Sequence, residues 1–134
     1  MRIHLLVVPL LLILPACTTL SGVREDFEHN SREYNRMVRW HELDKACVIF
    51  PPEELRKDFA ARVKATKDVT VVDYRVLNME CDPAKGEAKV KAEIDYYLIP
   101  STRVKTVTDD QKWSYVEESE IKHWRLMTLL PEFK

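Results

Sequence analysis

The stretch Gly86-Glu87-Ala88-Lys89-Val90-Lys91-Ala92-Glu93-Ile94-Asp95-Tyr96-Tyr97-Leu98 decides the fold. Ala88, Val90, Ala92, Ile94, Tyr96 and Leu98 share one parity, and Glu87, Lys89, Lys91, Glu93 and Asp95 the other. Successive side chains of a strand point to opposite faces, so this is a strand with one buried and one solvated face. Antiparallel sheets have such strands, whereas parallel sheets are covered on both faces.

Upstream lies the turn Asp82-Pro83-Ala84-Lys85-Gly86, and before it Val69 to Met79, rich in β-branched and aromatic residues. Downstream, Pro100-Ser101 breaks the chain and a third strand region runs from Thr102 to about Val116. That region is long enough to place Asp109-Asp110 at a bulge or bend. Glu117 to Glu120 reads as a polar turn, and His123 to Thr128 as a closing strand with Trp124 and Leu126 toward the core.

The pattern changes before residue 69. From Arg24 to about Phe50, Phe27, Tyr34, Met37, Val38 and Ala46 return at near-helical spacing, which reads as one long amphipathic helix, with His41 to Asp44 the place where it could break. Pro51-Pro52 stops this helix, because proline drives the preceding residue out of the helical region. Pro52 then suits the start of a second helix, from about 52 to 66, with Glu53 and Glu54 favourably placed at its positive end. The expected fold class is α+β: two N-terminal helices packed on a curved four-stranded antiparallel sheet, residues 25–134.

The first residues carry an address. Met1-Arg2-Ile3-His4 precedes an uncharged run from Leu5 to Ala16, as in a signal peptide of residues 1–16. Its apolar core is shorter than the roughly 20 residues that span a bilayer. Leu14-Pro15-Ala16-Cys17 resembles the bacterial lipobox, with Pro15 a departure from its usual small residue. The resemblance implies lipidation of Cys17, cleavage before it, and a flexible lipidated tether over residues 17–24. Several acyl chains would make that membrane anchor stable. Thr18, rather than Asp, follows the cysteine, so in a bacterium with two membranes the expected site is the periplasmic face of the outer membrane.

Composition narrows the function. Lys and Arg total 21 against 22 Asp and Glu, a balance that gives no strong field for nucleic acid. Gly22 and Gly86 are the only glycines, so the residues of phosphate-cradling loops and dinucleotide fingerprints are missing. In an oxidising compartment Cys47 and Cys81 either pair as a disulfide or remain buried and inert.

Two helices followed by a bent antiparallel sheet resemble the cone-shaped fold of the nuclear transport factor two-like superfamily, within the cystatin-like folds. The resemblance rests on Tyr34 to Phe50, the helix after Pro51-Pro52, the alternation of Ala88 to Leu98, and Trp113 and Trp124 in the last two strands. The chain is also similar to small proteobacterial lipoproteins in which a lipobox precedes such a domain. That likeness implies a conical pocket, used by some members for isomerase or dehydratase chemistry and by others for binding or dimerisation.

Isomerase chemistry needs a carboxylate base and an oxyanion donor. Tyr74 and Tyr96 are candidate donors lining such a pocket, with His41 as a third candidate. No base accompanies them: Glu93 and Asp95 lie on the solvated parity, and Asp73 opposes Val72, Tyr74 and Val76. His41-Glu42-Leu43-Asp44 lacks the second histidine of a zinc helix, and no serine sits in a glycine-flanked nucleophile turn. Neither a metal nor another cofactor is expected, and no catalytic residue is assigned. Trp113, Tyr115 and Trp124 are either core or an interaction surface. The expectation is therefore a non-enzymatic envelope lipoprotein that binds an envelope protein or a second copy of itself, with no nucleic-acid role. The alternative is a small-ligand-binding or isomerase/lyase-like domain.

Overall fold

The computed structural model describes residues 20–134. Residues 1–16, read above as a signal peptide, and Cys17 lie outside the described residues. The elements are α1 (Leu20–Arg39), α2 (Leu43–Ile49), α3 (Glu53–Lys64), β1 (Val69–Asp82), β2 (Glu87–Leu98), β3 (Lys105–Glu118) and β4 (Ile121–Leu126). The fold is α+β, with the helices N-terminal to a curved, open antiparallel sheet of order β1-β2-β3-β4.

The long first helix of the sequence reading is two helices, α1 and α2, so three helices rather than two precede the sheet. His41 has φ 57, the left-handed conformation of a helix-capping residue. The His41 N–H donates to the Val38 carbonyl at 3.3 Å and the Glu42 N–H to the Met37 carbonyl at 2.8 Å. These two bonds form a Schellman cap, which turns the chain from α1 into α2. At the other end α1 begins at Leu20, so residues 20–24, assigned to the tether from sequence, are helical.

α1 buries Phe27, Ser31, Tyr34, Met37 and Val38 against one face of the sheet. From β2 that face receives Ala88, Val90, Ala92, Ile94 and Tyr96, all buried. The core is aromatic: Phe27 meets Trp113 and Trp124 with ring centroids 6.0 and 5.2 Å apart, and Tyr34 meets Phe50 at 5.5 Å. The edge-on contacts, Phe27 with Trp113 and Tyr34 with Phe50, add to the burial energy of the rings. Trp113 and Trp124 are thus core residues, and the Trp124 indole N–H donates to the Val23 carbonyl at 2.9 Å.

Three parts of the sheet depart from the sequence reading. Glu117 and Glu118, read as part of a turn, pair with Lys122 and Ile121, so that β4 begins at Ile121. Pairing of β2 with β3 runs without a register shift through Asp109 and Asp110, so there is no bulge at those acids. The irregularities lie in β1, between Val71 and Asp73 and between Val76 and Asn78. Each inserts one residue and switches parity, so the helix-covered face receives Val69 and Val71, then Tyr74 and Val76, then Met79 and Cys81. At the β1–β2 turn Gly86 has φ +65, and a Cβ there would meet the Tyr115 Cβ at 3.2 Å. Glycine answers both constraints.

Candidate functional site

A polar cluster occupies the middle of the helix-covered face. On β3 the parity that buries Trp113 also brings in Gln111 and Asp109, each only 2 % exposed. Gln111 organises the group. Its Nε2 donates to Tyr74 Oη at 2.6 Å and to Asp109 Oδ2 at 2.8 Å, with Asn35 Oδ1 of α1 farther off at 3.5 Å. Gln111 Oε1 accepts the Trp113 indole N–H at 3.0 Å. Tyr74 Oη, while accepting from Gln111, donates to Asp109 Oδ2 over a longer 3.4 Å. From α1, the fully buried Tyr34 Oη and Ser31 Oγ have no hydrogen-bond partner among the described residues.

Among the described residues no cation bonds to Asp109, and its surroundings govern its proton. Burial raises its pKa to about 6, against the opposing hydrogen bonds from Gln111 and Tyr74, and Asp110 adds a small upward push. Burial likewise raises Tyr74, with Asp109 second. Tyr34 is raised by burial, then by Asp109 and Tyr74. A carboxyl that titrates near neutrality beside neutral phenols has the components of proton-transfer chemistry. Here the carboxyl of Asp109 and the phenol of Tyr74 are hydrogen-bonded to each other and to Gln111 beneath α1.

The structure separates the three pocket residues expected from sequence. Tyr74 joins the cluster. Tyr96 is buried elsewhere: its hydroxyl donates to the Lys134 carbonyl at 2.7 Å and accepts from the Lys134 N–H at 3.1 Å, while its ring meets Phe133 edge-on at 4.9 Å. It pins the C-terminus. His41 is exposed and borders a shallow depression with Arg39, Trp40 and Val69. The three do not line one pocket.

The cysteines are also apart, and both are free thiols rather than a disulfide. Cys47 is buried in α2, where its Sγ reaches the Arg56 carbonyl at 3.6 Å. Cys81 is half-buried near the end of β1, opposite Ala88 and close to the charges of Arg24 and Glu28. Burial pushes both thiols up, away from the reactive thiolate form.

The open face of the sheet carries a second acidic group. Arg75 bonds Asp95 at 2.6 Å, Glu93 at 3.0 Å and Asp73 at 3.0 Å, and the Thr106 hydroxyl donates to Asp95 at 2.6 Å. These are the acids that sequence parity keeps from the tyrosines. The Arg75 guanidinium and Thr106 lower the Asp95 pKa to about 2. Among the described residues, no group of three or more His, Cys, Asp or Glu is arranged to hold a metal ion.

Beside both groups runs β1, an edge strand. Its first residues are covered, with Arg39 Nη1 donating to the Val71 carbonyl at 3.0 Å. Beyond them Val72, Val76, Leu77 and Met79 are exposed, Leu77 by 51 %. Val72 and Leu77 occupy the two irregularities, where edge strands commonly place charge or proline instead.

Asp109 and Gln111 escape a reading that sends polar residues outward. The signal that finds them is the odd parity counted back from Trp113, which gives Gln111, Asp109 and Val107 in turn. Among the described residues no helix is long and apolar enough to cross a membrane. No protein-family model matches the chain, and no curated protein matches it.

Proposed function

We propose that this chain is a lipoprotein of the bacterial envelope, anchored through Cys17, whose domain is a non-enzymatic binding module that seats a protein partner on β1. The observation that carries this reading is the group Val72, Val76, Leu77 and Met79, exposed together along one edge strand. Large apolar side chains left in solvent along an edge strand mark interaction sites. Its position on an edge adds free backbone groups to the apolar side chains. The lipobox supports the location, and Thr18 supports the outer membrane where there are two membranes.

A photo-crosslinking residue placed at Leu77 in intact cells tests the partner site. One discrete adduct is expected from Leu77, and none from Lys89 on the open face. The adduct should disappear when Met79→Lys is added. Equal yields from Leu77 and Lys89, or an adduct indifferent to Met79→Lys, would remove β1 as the site. Mass spectrometry of the membrane-extracted protein should show a lipid-bearing N-terminal peptide beginning at Cys17, and Cys17→Ser should release the protein from membranes.

The sealed cluster of Asp109 and Tyr74 favours the second reading, a small-ligand-binding or isomerase/lyase-like domain. That reading requires α1 to admit a ligand. It predicts that small fragments added to the labelled protein shift the NMR signals of Tyr74, Asp109 and Gln111 together. Shifts confined to β1 would leave the binding module as the better account.

A further inference from the structure

We propose that the domain rests end-on upon the bilayer, with the N-terminus of α1 and the tip of the β3–β4 hairpin against the lipid. This inference rests on the lipid-anchor reading above and adds an orientation to it.

The length of the tether is the first argument. Cys17 precedes Leu20 by three residues, and Leu20 is already helical. An extended chain of three residues spans at most about 11 Å. A lipid on Cys17 therefore holds the start of α1 close to the headgroups.

The second argument is what else lies at that end. A groove of about 300 Å³ brings Leu20 together with Ala84, Lys85, Tyr115 and Lys122. The β1–β2 turn stops level with Tyr115, whose N–H donates to the Gly86 carbonyl at 2.8 Å. The β3–β4 hairpin continues past this point to Glu118 and turns through Ser119 and Glu120. Three further strand residues project it by about 10 Å.

The hairpin tip and the helix start both carry apolar side chains in solvent, Ile121 at 63 % exposure and Leu20 at 54 %. Two such side chains would not hold a free protein on a membrane. The anchor makes their contact intramolecular in effect, so a weak preference suffices to set orientation. Electrostatics does not supply the contact, because exposed Asp82, Glu117 and Glu120 offset Arg24, Lys85 and Lys122 at this end. The footprint should then be indifferent to anionic lipid.

The test uses the full lipidated protein in phosphatidylcholine nanodiscs, with and without phosphatidylglycerol, doped with a gadolinium-chelating lipid. NMR relaxation enhancement should be several-fold larger at residues 20–24, 83–86 and 118–122 than at residues 40–41 and 99–104, alike in both lipids. Ile121→Glu, on a surface position, should flatten that contrast without changing the chemical shifts of the core.

Uniform enhancement over the whole surface would overturn the orientation while leaving the anchor intact, and so would a maximum at Trp40 or along β1. A footprint seen only with phosphatidylglycerol would replace the apolar contact and overturn the proposal. Concentration-dependent pairing through Ile121 would assign this end to a second copy instead. An intact mass without acyl chains would overturn the anchor reading itself, separately from these outcomes.

Discussion

The two faces of one sheet treat aspartate in opposite ways. Asp95, on the open face, sits within reach of Arg75 and Thr106, and its pKa falls to about 2. Asp109, on the helix-covered face, has Gln111 and Tyr74 as partners and its pKa rises to about 6. Both acids are hydrogen-bonded, so hydrogen bonding alone does not set the direction. Burial without a cation does, because removing a carboxylate from water disfavours its charged form.

The sharpest way to break this comparison is to remove the organiser of the buried group. Gln111→Leu leaves the Trp113 indole N–H, Tyr74 Oη and Asp109 without their shared partner, and should destabilise the fold by about 4 kcal/mol, since each buried polar group left unpaired costs 1–3 kcal/mol. Urea unfolding at neutral pH measures it. A loss below that of an ordinary surface substitution would show that the cluster is wetter than its burial implies.

Asp109→Asn addresses the proton. The folded pKa of Asp109 lies above its value in an unfolded chain, so the folded state binds the proton more tightly. Its favourable contribution is complete below about pH 4 and is lost as pH rises through about 6, a swing of about 3 kcal/mol. The asparagine variant should lose that component of the stability-versus-pH curve and keep the rest. An unchanged curve between pH 4 and 6 would place the titration elsewhere.

Arg75→Met should have the smallest effect of the three, because its ion pairs are partly open to water and screened by salt. The Asp95 pKa is depressed, so its contribution is present above its unfolded value near 4 and fades as pH falls toward 2. The variant should therefore flatten the acid limb only, and added salt should reduce the difference from the parent protein. A loss comparable to that of Gln111→Leu would mean that the open face is covered.

Legibility in the sequence follows the regularity of each strand. β2 pairs without interruption to β3, so its parity can be read directly from Ala88 to Leu98. β1 hides its inward residues because Val72 and Leu77 each shift the count, which a two-residue period cannot register. In β3 the obstacle is chemical: Asp109 and Gln111 satisfy one another inside the core, and adjacent acids read as a bend. The helix break near His41 is legible, whereas its mechanism, a left-handed cap on a residue other than glycine, is a matter of backbone geometry. The bond of Tyr96 to Lys134 joins positions 38 residues apart, and local pattern carries no trace of it.

The scarcity of glycine has a consequence for engineering. His41, Ser119 and Glu120 all have positive φ, and among the described residues only Gly86 fills such a position with the residue best suited to it. Ser119 and Glu120 form a two-residue hairpin turn of the kind that favours Asn-Gly. Placing an ordinary L-residue in the left-handed region costs about 1–2 kcal/mol, part of which glycine returns as greater freedom of the unfolded chain. Single replacements at these corners therefore offer a thermostable variant whose core, edge strand and buried acid are untouched.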